Sequence, residues 1–156
     1  MGQRRSTRAR THLAVTASLV VTACLLCGCI SPAINAEGYR GKVGHSAEKM
    51  AGIMGAAMLA AQLDLGGKML QTASDNVVSD AENDAQSVVT SLSVVQPPDE
   101  ISIQLRSRAE DVLQNAANEL SDLRIALRRD DKAGMRSALA ELGKTLADVQ
   151  HLQESV

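Results

Sequence analysis

Trp and Phe are missing from this 156-residue chain, and Tyr39 is its one tyrosine. Without rings to present, the chain has no sugar-stacking platform and cannot build an aromatic-rich protein interface. Cysteine is nearly as scarce: Cys24, Cys27 and Cys29 are the full set, all near the start. Beyond them no disulfide is available, so a fold must rest on packing. The three prolines, Pro32, Pro97 and Pro98, leave long stretches unbroken. Acids are absent from the first 36 residues, yet after position 28 twelve basic residues face eighteen acids, a net charge of −6. An acidic, ring-poor chain is a poor binder of nucleic acid. No alternating apolar and polar run after residue 28 signals a β-strand.

What is present begins with Arg4, Arg5, Arg8 and Arg10, followed by an uncharged stretch from Leu13 to Ile30. A basic start before an apolar run reads as a bacterial export signal. The positive-inside rule keeps these arginines in the cytoplasm and sends the rest across the membrane. At the end of the run, Leu26, Gly28 and Cys29 resemble the lipobox of bacterial lipoproteins, with Cys27 where that pattern usually has Ala, Ser, Thr, Val or Ile. The resemblance implies that Cys29 is alkylated with a diacylglyceryl group and that a signal peptidase cuts between Gly28 and Cys29. Two acyl chains hold a protein on a bilayer where one would be marginal. Val21-Thr22-Ala23-Cys24 satisfies the same pattern, so Cys24 is the alternative, and Cys29 is preferred because the apolar run ends there.

Two further readings share the export step. Leu13 to Ile30 is just long enough to stay uncleaved as a membrane anchor, and a cleaved but unlipidated secreted protein is the other. Arg4-Arg5 suggests the twin-arginine route, but Ser6-Thr7-Arg8 stand where that signal has a hydrophobic pair. Cys24, Cys27 and Cys29 also spell CxxCxC, a metal motif in other settings. Here it lies inside an apolar leader with no histidine close by.

The organisation expected is a signal peptide over 1–28, a lipidated N-terminus and flexible tether over 29–44, and a helical domain over 45–156. The tether reading rests on ISPAINAEGYRGKVG, a mixture of Gly, Pro and small polar residues with little periodicity. A first helix is expected from an N-cap near Ser46 to about Leu65. Its apolar centre, Ala51 to Leu63, is too short to cross a bilayer, and Gly52, Gly55, Ala56 and Ala60 would admit a close neighbour. Gly66-Gly67 then makes a turn or a kink. A second helix over Lys68 to Val95 carries the stripe Leu70, Ala73, Val77, Ala81, Ala85, Val88, Leu92 and Val95. Pro97-Pro98 ends it. Asp99 and Glu100 open a third helix whose stripe is Ile101, Leu105, Ala109, Val112, Ala116, Leu120, Leu123 and Leu127. Asp130-Asp131-Lys132 turns the chain into a fourth, with Met135, Leu139, Leu142, Leu146 and Val149 at heptad spacing. The class is therefore all-α, an antiparallel three- or four-helix up-and-down bundle. This layout resembles small helical-bundle lipoproteins of actinobacteria, a resemblance in structural punctuation that brings no catalytic residue with it.

Three constellations invite chemistry. Met50, Met54 and Met58, with His45 a turn earlier, would bind Cu(I) as an outward ladder, or else fill an irregular core. Asp80 and Asp84, with Asp75 and Glu82, would suit a divalent cation or a basic partner, or else form a solvated face balanced by arginines of the third helix. Asp148, His151 and Glu154 echo half of a bundle metal site, but a second Glu-x-x-His pair is lacking. His45 and His151 sit near opposite ends with no elbow to present a nucleophile, so no enzyme is expected. The expected function is a lipoprotein on the extracytoplasmic face of the cell membrane, acting as a non-catalytic binding or scaffolding bundle. Its expected partners are an envelope protein or a second copy of itself, and no cofactor is implied. A metal-binding envelope lipoprotein is the alternative.

Overall fold

The computed structural model describes residues 35–156, so the leader, Cys24, Gly28 and Cys29 lie outside the described residues. Four helices follow one another: α1 Ala36–Leu65, α2 Gln71–Ser93, α3 Glu100–Arg128 and α4 Lys132–Glu154. Among the described residues there is no strand. Each helix packs on its neighbours in sequence, α4 closes back on α1, and α1 also touches α3 across the middle. The result is an all-α, four-helix up-and-down bundle. No helix among the described residues is long and apolar enough to cross a membrane.

The first correction concerns α1, which begins at Ala36, ten residues before Ser46. The Asn35 side chain caps it by accepting from the Gly38 N–H at 2.8 Å. Tyr39 and Val43 then continue the buried row that runs through Ala47, Met50, Met54, Ala57, Ala61 and Asp64. Gly38, Gly41 and Gly44 carry intrinsic helix penalties of about 1 kcal/mol each, offset by the tertiary burial of Tyr39 and Val43 together. Gly44 has its own reason: a Cβ there would lie 3.1 Å from a Val156 methyl at the end of the chain. Only residues before Asn35 are left for a tether.

The turns follow from local chemistry. Gly67 takes φ of +65°, and the bonds Gly67 N–H to Asp64 O and Lys68 N–H to Leu63 O, both 2.8 Å, close α1 in a Schellman motif. The paired glycines therefore make a turn. Asp130 repeats the device at the end of α3 with φ of 51°, a conformation Asp tolerates better than most residues. Asp131 completes that motif by donating its N–H to Ala126 O at 2.9 Å. Its carboxylate at once caps α4, accepting from Ala133 and Gly134. Asp99 caps α3 through the Ser102 N–H at 2.8 Å.

The second correction concerns the first turns of α2 and α3; beyond them the expected α2 stripe holds at Ala81, Ala85, Val88 and Leu92. In α2, which starts at Gln71 with no side-chain cap, the buried row is Ser74, Val78, Ala81, Ala85, Val88 and Leu92. Leu70 and Ala73 point to solvent, and Val77 lies at the margin. In the first turn of α3 the buried residue is Ser102, while Ile101 is exposed. The core is built from Leu92, Leu113, Leu120, Leu123, Leu127, Met135, Leu142 and Leu152, with alanines where helices approach closely.

Candidate functional site

A concave surface that joins expected site residues runs along the outer seam between α1 and α2. Its central hollow, about 540 Å³, is lined by Glu48, Lys49, Gly52, Ile53 and Ala56 of α1 and by Val77, Asp80, Ala81 and Asp84 of α2. A second hollow of about 370 Å³ follows on the same seam, between Gly38, Gly41, Lys42, His45 and Ser46 and the end of α2 at Ser91, Leu92 and Val95. The hollows exist because the wall residues are small. A Cβ on Gly41, Gly52 or Gly55 would meet nothing within 4 Å, so no helix among the described residues uses the close approach these glycines permit. Leu59, 57% exposed, stands on α1 beyond the hollow. Between Gly38 and Ala56 the seam extends over about 28 Å of helix, at a rise of about 1.5 Å per residue.

Charge is distributed unevenly along it. Asp80 and Asp84 rim the central hollow and are exposed, as are Glu48 and Lys49. Their acidic neighbours on α2 are engaged elsewhere: Glu82 accepts from both Nε and Nη2 of Arg124, and Asp75 pairs with Arg128 at 3.1 Å. Part of the acidic face is thus balanced by α3 arginines, and the rest is turned to the seam. His45 sits 3.7 Å from Glu48 across one turn of helix.

Of the two readings of the methionines, the core one holds. Met50 and Met54 are fully buried in the core and Met58 packs against it, so the outward thioether face that copper binding requires is not formed. The rest of the metal alternative reduces to Asp80 and Asp84, and among the described residues no three His, Cys, Asp or Glu side chains converge as a metal site would need. Asp148, His151 and Glu154 are all exposed on the last turns of α4.

Sequence reasoning missed a polar cluster at the far end of the bundle. Asp64, nearly buried, accepts from Ser74 Oγ at 2.8 Å and from Lys132 Nζ at 3.2 Å. Lys132 also reaches Asp130 at 2.9 Å, and the hydrogen bonds to Asp130 and Asp64 raise its pKa above the usual lysine value. Gln71 Nε2 donates to Leu127 O at 2.9 Å in the same region. The cluster ties α1, α2 and α4 together and sets the phase of α2, since Ser74 must face Asp64. Nothing in the spacing of three residues on three helices announces it.

A second group not anticipated lies between α3 and α4, where Glu119, Asp122 and Glu141 share a hollow of about 340 Å³. Burial, then the nearby Glu141 and Asp122 carboxylates, push the Glu119 pKa up, with Lys144 opposing. At the opposite end from Asp64, the Tyr39 hydroxyl is buried without a hydrogen-bond partner. Its desolvation raises the phenol pKa against the pull of the Arg106 guanidinium.

No family model, curated protein or solved structure matches this chain.

Proposed function

We propose that this protein is a lipid-anchored bundle on the extracytoplasmic face of the cell membrane, which works without catalysis by receiving a helical segment of an envelope partner along its α1–α2 seam. The anchor reading is supported by the arginine-led apolar leader that ends at Gly28-Cys29. The observation that carries the binding reading is the seam: two hollows in line, with Gly41 and Gly52 in their walls and Asp80 and Asp84 at the rim. Helix-in-groove recognition needs an apolar trough several turns long with polar edges to set register. Small wall residues provide the trough, and the exposed carboxylates select a segment bearing basic residues.

The test is a photo-crosslinking amino acid placed at Ala56 and, as a control, at Gly143, whose Cβ would also meet open space but on α4. In the native host, a discrete adduct at position 56 that disappears in Cys29→Ala is the expected result. Equal labelling from position 143 would refute a seam-specific partner. Intact mass of the purified protein reports the anchor separately: a diacylated N-terminus at Cys29 supports it, and an unmodified one removes it.

A further inference from the structure

Resting on the lipid-anchor reading above, we infer that the bundle stands end-on, with the α2–α3 connection seated in the bilayer interface through Val94, Ile101 and Ile103. These three are 54%, 66% and 49% exposed and fall within ten residues of one another, around Pro97-Pro98. The up-and-down topology places the start of α1, the end of α2, the start of α3 and the end of α4 at one end of the bundle. Contacts at that end agree: Arg106 donates to Ser93 O, Arg108 to Ser155 Oγ, and Gly44 lies against Val156. In a helix the Cα–Cβ bonds tilt toward the N-terminus. Ile101 and Ile103, in the first turn of α3, therefore lean out of that end.

The occupant follows from chain length. Between Cys29 and the capping Asn35 there are six residue steps, which fully extended span about 20 Å. The start of α1 must lie within that distance of the anchored cysteine, and the apolar connection lies at the same end. The turns at Gly66-Gly67 and Asp130-Asp131, where Leu70 alone among large apolar side chains is 80% exposed, are about 45 Å away along α1, from 30 residues at about 1.5 Å each. Asp99 and Glu100 border the apolar residues and are exposed, with the exposed Arg40 near enough to help lower the Asp99 pKa, so the mixed charge of this end suits a zwitterionic interface.

Because the chain has no tryptophan, a single introduced one reports its own surroundings. The lipidated protein carrying Ile101→Trp, Ile103→Trp, Leu59→Trp or Leu70→Trp is reconstituted into vesicles of brominated phosphatidylcholine and compared with unbrominated vesicles. All four native residues are exposed, so the folded bundle accepts the ring. Trp at 101 and 103 loses most of its emission to bromine, while Trp at 59 and 70 keeps it. Quenching at 59, about 35 Å up the helix from Ala36, shows a bundle lying flat and overturns the proposal. A diacylated intact mass with no quenching at 101 or 103 overturns the seat but leaves the anchor standing, whereas an unlipidated mass overturns the anchor itself. A blue shift at 101 in lipid-free Cys29→Ala that grows with protein concentration assigns the patch to a second copy and also overturns it.

Discussion

The α3–α4 hairpin and the α1–α2 hairpin are built from different residues, and the contrast divides the molecule's work. The first is a leucine structure: Leu113, Leu120, Leu123 and Leu127 meet Met135, Leu142 and Leu152, all fully buried. Its turn is tied by a left-handed Asp130 and by Asp131, which ends one helix and caps the next. The second hairpin packs its inner face with Tyr39, Val43, Met50, Met54, Val78, Val88, Leu92 and alanines, and its outer seam is left open by glycine. Large side chains fill the inner face of both hairpins; small ones on the outer face leave the second with a trough. Stability concentrates where shape is filled, and binding surface appears where it is not.

The strongest way to break this comparison is Leu120→Ala, which deletes a fully buried side chain and is expected to cost about 2–5 kcal/mol in chemical denaturation. A loss under 1 kcal/mol would mean that the leucine layer between α3 and α4 is not tightly packed. The two hairpins can next be compared through one substitution made twice. Gly134→Ala puts a Cβ 2.5 Å from the capping Asp131 Oδ2, and displacing that cap is expected to destabilise by about 1 kcal/mol. Gly52→Ala meets open space and is expected to stabilise by about 0.5–1 kcal/mol through helix propensity alone, while it narrows the trough and weakens crosslinking from position 56. Equal signs for the two would remove the contrast.

The smallest effects are those of pH. Asp99 has its pKa lowered, chiefly by the Ser102 backbone N–H and then the Ser102 side chain. Its contribution is present above the unfolded-state value, about 3.9, and fades as pH falls through the lower folded value. Glu119 runs the other way, raised by burial and by Glu141 and Asp122. Stability tied to its protonated form is full below the unfolded-state value, about 4.3, and is lost as pH rises through the folded one. Glu119→Gln is therefore expected to raise the melting temperature at pH 7 and to lose that advantage below about pH 4. Asp99→Asn keeps a capping oxygen and is expected to flatten the acid limb. An unchanged pH profile in both variants would contradict these assignments.

Legibility in the sequence followed the range of the interaction. Gly66-Gly67, Pro97-Pro98, Asp99 and Asp131 each act on backbone within a few residues, and the turns and the start of α3 expected from them are where the structure has them. The stripes of α3 and α4 are regular enough to show a hairpin that must bury them. The arginine balance of the α2 acids was also readable, because Arg124 and Arg128 lie at the expected end of α3. What failed was long-range. Three glycines in seven residues disguised the first turns of α1, since nothing local says that Tyr39 finds a place in the core. In the first turns of α2 the row of Leu70, Ala73 and Val77 gives way to Ser74 and Val78, a choice fixed by Asp64, ten positions away from Ser74.

The pattern of leucine, aspartate, proline and glycine by itself determined an all-helical chain, three of its four helix starts to within three residues, and its turns, because propensity and capping are settled by neighbours in the chain. Only tertiary packing decided that α1 reaches back to Ala36, that Met50 and Met54 are core, that Asp64 is buried beside Ser74 and Lys132, and that a seam stays open between α1 and α2. Those outcomes depend on how closely one helix can approach another, which residues of a single helix cannot specify.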